Sequence, residues 1–189
     1  MRHTFLILLA LLLVPNASAQ EYAIDKGSFL LGGTVGFSSQ GSESSAFEGD
    51  EDRSAQALIN TSFRYFVAPG FALGVNALVS STTQGDVTVS DATVGPSLSL
   101  YFGQPTSIVY PFISGTVGFS TLSVEVDDVG SDSVNGALLG LEGGISYMIA
   151  RNVALTGSLY YQRQGFSDSG ESVTNDVFGF QGGVTAFIF

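Results

Sequence analysis

The chain of 189 residues is 44% hydrophobic, only 12% charged, and carries a formal net charge of −11. It has no cysteine, which excludes disulfides, thiolate metal centres and thiol nucleophiles, and its single histidine, His3, falls in an N-terminal stretch expected to be removed. The excess of acidic over basic residues, 17 against 6, argues against a nucleic-acid partner.

The first element is a secretory signal peptide over residues 1–19. Arg2 supplies the positive start, residues 5–14 form an unbroken apolar run, and Ala17-Ser18-Ala19 provides the small residues of a cleavage site. The run is too short to span a bilayer as a helix, and no later segment approaches the roughly 20 apolar residues that a spanning helix needs. Residues 20–189 are therefore expected to form one domain that meets a membrane, if at all, through strands.

From Gly27 onward, stretches of about ten residues alternate large apolar side chains with small or polar ones, the period of a half-buried strand. The predicted strands cover 27–38, 55–66, 71–82, 92–102, 110–121, 136–149, 153–164 and 176–189. Parity is clearest in the fourth. There Val94, Pro96, Leu98, Leu100 and Phe102 share one face, and Thr93, Gly95, Ser97, Ser99 and Tyr101 the other. The sixth sets Ala137, Leu139, Leu141, Ile145 and Tyr147 against Gly140, Glu142, Gly144 and Ser146. The seventh sets Val153, Leu155, Leu159 and Tyr161 against Ala154, Thr156, Ser158, Tyr160 and Gln162. In the last strand the pattern is mixed, and Phe187 and Phe189 are assigned to the apolar outer face. An uncharged apolar outer wall with a polar inner face inverts a soluble ligand-carrying barrel and suits a closed membrane barrel, in which every backbone group is paired internally.

The expected connections alternate between long (39–54, 83–91, 122–135, 165–175) and short (67–70, 103–108, 150–152), which places the short turns in the periplasm and the long ones outside the cell. All acidic residues except Glu21, Asp25 and Glu142 fall in or beside the long connections, among them Glu43, Glu48, Asp50, Glu51, Asp52, Asp127, Asp128, Asp132, Asp168 and Glu171. Aromatic residues gather at strand ends as two girdles, Phe63, Tyr65, Phe71, Phe102, Tyr110, Tyr147, Phe187 and Phe189 at one level and Phe37, Phe119, Tyr161 and Phe178 at the other. The hexapeptide Gly33-Thr34-Val35-Gly36-Phe37-Ser38 recurs letter for letter as Gly115-Thr116-Val117-Gly118-Phe119-Ser120, on strands predicted to stand opposite each other.

With this strand count, loop rhythm and a C-terminal Phe189 preceded two residues earlier by Phe187, the chain resembles the small outer-membrane barrels of the OmpA/OmpX type. The resemblance covers residues 20–189. It implies an all-β, eight-stranded, antiparallel up-and-down transmembrane barrel in the bacterial outer membrane, delivered there by the barrel-assembly machinery that reads the terminal aromatic. It implies no single activity, because such barrels serve as adhesins, tethers, pores or enzymes.

Charges expected in the lumen are the first functional candidates: Arg64 from the second strand and Glu142 from the sixth, roughly across from each other. The rest of the lining is expected to be polar and to pack the interior, as in other barrels of this size. Arg163, on the outward parity near the outer rim, is the candidate contact for a lipid-headgroup phosphate, with simple snorkelling as the alternative; Lys26 is placed at the start of the first strand. Residues 126–132 lack the ligand alternation of a calcium loop. The glycine-rich run 32–36 lies within a strand and has no following helix to cradle a phosphate. No cofactor, metal site or catalytic set is indicated. The expected role is structural or interactive, with outer-membrane lipid around the wall and an extracellular partner at the loops; a narrow passive pore is the alternative.

Overall fold

The computed structural model describes residues 23–42, 54–84, 87–104, 107–126, 130–168 and 171–189. The proposed signal peptide lies outside them, as do Glu43, Glu48, Asp50, Glu51, Asp52, Asp127 and Asp128. Eight strands run in chain order: β1 (Phe29–Ser42), β2 (Ser54–Ala68), β3 (Phe71–Gln84), β4 (Val87–Tyr101), β5 (Val109–Val126), β6 (Gly130–Ala150), β7 (Val153–Asp168) and β8 (Glu171–Ile188). Each pairs antiparallel with its sequence neighbour, and β8 returns to β1, so the sheet closes.

Closure is staggered. Stepping sideways from Leu30 through Arg64, Gly74, Ser97, Thr116, Gly140, Gln162 and Val177 leads back to β1 at Gln40, ten residues further along. Such a shear tilts the strands by roughly 35–45° and leaves an interior that side chains just fill. The end carrying connections 69–70, 102–108 and 151–152 together with the C-terminus is called the turn end, and the opposite end the loop end.

The alternation of the sequence sorts side chains as expected along most of the wall. Leu31, Val35, Ile59, Val75, Val94, Leu98, Ile113, Val117, Leu139, Leu141, Leu155 and Leu159 are all exposed outward, whereas Asn60, Thr93, Ser97, Ser99, Ser114, Thr116, Ser146, Thr156 and Ser158 are buried inward. Outward aromatics form the two girdles. Phe29 stacks near Phe63 and Tyr65 at the turn end, with ring centroids 5.7 and 4.9 Å apart, and Phe37 lies 5.7 Å from Phe180 toward the loop end.

Four expectations are corrected. Phe187 points into the barrel and is 1% exposed, while Phe178, Phe180, Val184 and Ile188 take the lipid face of β8. Aromatics occupy both parities of this strand because its last inward position meets an apolar plug rather than the polar lumen. Val153, grouped with the outward residues of β7, is buried at 4%, and its partner strand β6 has a register shift between Met148 and Ala150 beside the 151–152 turn. Lys26 does not begin β1. Residues 23–28 instead fold across the turn end, with Gly27 N donating to Phe66 O, Phe66 N to Ser28 O, and Gly70 N to Ile24 O at 2.8–2.9 Å.

Finally, three of the connections expected to be long are largely strand. The ladders continue to Gln84 opposite Val87, Val126 opposite Gly130, and Asp168 opposite Glu171. Val87, Val89, Val124, Val126 and Val134 alternate there with Ser and Thr, and this β-favouring pattern extends the ladder even though the segment is too polar to lie in lipid.

Candidate functional site

The lumen is built in layers, each set by which strand positions face inward. At the turn end Leu30, Phe66, Ala72, Tyr101, Tyr110, Phe112, Ala154 and Phe187 form one apolar cluster with Ala23 and Ile24 from the N-terminal segment. Phe66 lies 5.5 Å from Tyr101 and 6.4 Å from Phe187, and Tyr101 lies 5.1 Å from Phe112, ring to ring. This plug fills the mouth with rings.

Above it lies a polar network centred on Glu142. Arg64 Nη2 donates to Glu142 Oε2 at 3.3 Å, and Arg64 Nη1 donates to Tyr101 Oη at 2.8 Å. Glu142 Oε1 accepts from Ser158 Oγ and from Gln181 Nε2, both at 2.7 Å. Gln181 Oε1 in turn accepts from Thr34 Oγ1 at 2.9 Å and Asn60 Nδ2 at 3.1 Å, and Asn76 links Arg64 to Thr116. The side chains of the ion pair are 5% and 11% exposed. Arg64 stands four residues from the turn-end limit of its strand and Glu142 eight, and the length of the arginine side chain closes the difference in height. Arg64 also lies under Phe112, its guanidinium carbon 5.9 Å from the ring centroid, so the cation seals the plug as well as binding the carboxylate.

Beside this network is a cavity of about 20 Å³ lined by Asn60, Asn76, Thr116, Glu142, Gln162 and Gln181 among others, room for about one water. Asn60 Oδ1 and Gln162 Oε1, which lack protein partners, supply acceptors for it. A second apolar layer of Leu58, Leu78, Tyr160 and Val177 follows. At the loop-end mouth sits a charge that sequence reasoning missed. Asp91, assigned to a connection, faces inward from β4 and is 4% exposed. The signal available was its parity with Thr93, Ser97 and Ser99, which holds once the strand is extended to Val87.

On the outer wall Arg163 is exposed on β7, opposite Asp176 of β8. Asp176 accepts a 2.7 Å hydrogen bond from Tyr161 Oη. An apolar groove of about 440 Å³ runs below Tyr161 and Phe178, over the outward glycines Gly115 and Gly143. Among the described residues, no cluster of three or more His, Cys, Asp or Glu is placed to hold a metal.

No protein-family model matches the chain, and no curated protein matches it in sequence. Solved structures do match. Neisserial surface protein A superposes with a TM-score of 0.70 at 16% identity, over 85% of this chain and 99% of that one. The outer-membrane protein OprG from Pseudomonas aeruginosa gives 0.58 at 15% identity, over 90% and 99%. Ail, the attachment invasion locus protein of Yersinia pestis, gives 0.51 at 12% identity, over 85% and 99%. At these identities the likeness establishes the fold, that of the small eight-stranded outer-membrane barrels.

Proposed function

We propose that this chain is an outer-membrane barrel that holds its loop-end β-hairpins outside the cell in a structural or interaction role, without catalytic activity. The observation that carries this reading is the filled lumen. Among the described residues an aromatic plug, a hydrogen-bonded ion pair and a second apolar layer succeed one another along its length, and the cavity beside the ion pair has room for about one water. A barrel packed in this way serves as an anchor, and what it presents is its rim. The apolar wall and girdles suit a bilayer, and the match to bacterial outer-membrane barrels supports that membrane in particular. Short turns then face the periplasm, outer-membrane lipid surrounds the wall with Arg163 toward headgroup phosphates, and the barrel-assembly machinery inserts the chain by its terminal aromatic strand. An extracellular partner meets the projecting hairpins.

Protease treatment of intact cells, followed by detergent fractionation, tests the proposal. Cleavage within 43–53 with the barrel retained in the outer-membrane fraction is the expected result. Release of the intact protein by carbonate washing would sink it. A narrow passive pore is the second reading, favoured by the small polar side chains of the middle layer; stepwise conductance of the purified barrel in a planar bilayer would establish it in place of the first.

A further inference from the structure

The loop-end mouth of the lumen contains a buried carboxylate, Asp91, with no counter-charge among the described residues. Asp91 Oδ1 accepts from Ser120 Oγ at 2.9 Å, and Oδ2 accepts from Gln164 Nε2 at 2.7 Å; Gln164 Oε1 accepts from Asn175 Nδ2 at 3.1 Å. Ser80, Asp91, Ser120, Gln164 and Asn175 are each no more than 4% exposed. Among the described residues the only salt bridge is Arg64–Glu142, and it lies in another layer. Along β7 the inward positions from the mouth are Gln164, Gln162, Tyr160 and Ser158, and along β8 they are Asn175, Val177, Gly179 and Gln181. The apolar Tyr160 and Val177 therefore lie between Asp91 and the Ser158 and Gln181 contacts of Glu142, with Gln162 alongside them. A carboxylate desolvated with only neutral donors is costly.

Two oxygens in the same cluster are also without partners, Ser80 Oγ and Asn175 Oδ1. Ser80 is the direct cross-strand neighbour of Asp91 and faces the lumen beside it, which puts their Cβ atoms about 4.5–5.5 Å apart. Ser80 Oγ lies beside the carboxylate and Asn175 is joined to it through Gln164, and buried orphan oxygens of this kind are satisfied by an ordered water or an ion. Every available donor is oxygen, which selects a hard cation. Only one donor is anionic, so a single positive charge balances it. The chain as a whole carries a net charge of −11, which favours cations over anions around it.

We propose that the loop-end mouth of the lumen binds one small hard monovalent cation of the sodium class, on the Asp91 carboxylate with Ser80 Oγ and Asn175 Oδ1. The ion neutralises Asp91 and ties β3, β4 and β8 together at the rim, and water at the mouth completes its shell.

The test is urea unfolding of the refolded barrel in detergent at neutral pH and fixed ionic strength, in sodium chloride against N-methyl-D-glucamine chloride. For a dissociation constant on the order of 10 mM, about 100 mM sodium raises the folded-to-unfolded ratio roughly tenfold. Asp91→Asn abolishes this response, and Ser80→Ala weakens it. Should Asp91→Asn not refold, Ser80→Ala and the line-broadening of sodium-23 resonance by the wild-type barrel decide the matter. Equal stability in the two salts overturns the site, since a neutral Asp91, a Ser80 hydroxyl turned to donate to it, or a cationic side chain from residues 43–53 all leave the barrel indifferent to the cation. A sodium response retained in Asp91→Asn overturns it as well. Greater stabilisation by calcium than by sodium at matched ionic strength overturns the monovalent assignment.

Discussion

Arg64 and Glu142 stand on strands four apart whichever way the barrel is counted, and their 3.3 Å contact therefore crosses the lumen rather than following a strand. Removing one partner leaves the other buried with neutral neighbours only, Tyr101 and Asn76 for Arg64, Ser158 and Gln181 for Glu142. Glu142→Gln or Arg64→Met is expected to destabilise the barrel by about 3 kcal/mol, and the double variant by less than the sum of the two. Urea titrations followed by circular dichroism give all three numbers, and strict additivity would show that the pair is not coupled.

Planar-bilayer recordings of the wild type are expected to be silent. Arg64→Ala is also expected to stay silent, because Phe66, Tyr110, Phe112 and Phe187 close the turn end independently of the ion pair. Channel steps that appear only in Arg64→Ala would locate the barrier in the network and not in the plug.

The two C-terminal aromatics should differ sharply. Phe187→Ala empties a fully buried site and is expected to cost about 3–5 kcal/mol, whereas Phe189→Ala, at a half-exposed position, should stay within about 0.5 kcal/mol. Ile24→Ala should cost about 2 kcal/mol, because Ile24 belongs to the same plug. Equal effects of Phe187→Ala and Phe189→Ala on the urea midpoint would contradict the inward placement of Phe187.

Much of this architecture was legible in the sequence, for a physical reason: lipid and lumen demand opposite chemistry of alternate residues, so the parity of β4, β6 and β7 could be read directly from Val94 to Phe102, Leu139 to Tyr147, and Leu155 to Tyr161. Arg64 and Glu142 followed from the same rule. It failed where the demand changes. At the turn end the interior is apolar, so Phe187 and Val153 on the inner side look like outer-wall residues, and Ile24 lies before any strand. Beyond the girdles the apolar alternation gives way to Ser, Thr and Val; the polar stretches there resemble loops although they pair as strands, and Asp91 was hidden among them.

The repeated hexapeptide offers a sharper test. In both copies the first glycine, Gly33 or Gly115, faces outward with open space where a Cβ would stand. In both copies the second, Gly36 or Gly118, faces inward, and a Cβ there would collide with the backbone carbonyl of the adjacent strand, Phe180 O or Val94 O. Gly36→Ala and Gly118→Ala should therefore lower the urea midpoint markedly, while Gly33→Ala and Gly115→Ala leave it nearly unchanged. A barrel equally tolerant of all four would mean that close strand approach is not what the repeat encodes.

The plug described at the turn end also governs the order in which the molecule comes together. Ile24 precedes the first strand, Phe187 lies one residue before the end of the last, and both pack into the same cluster as Phe66. Phe187 can reach its place beside Ile24 only when β8 docks along β1. Sealing the seam and filling the mouth are thus one event, so a chain stopped before its final strand lacks the hydrophobic lock as well as the closing ladder. A sheet opened at that seam would lose both at once, and this makes the finished barrel an all-or-none object.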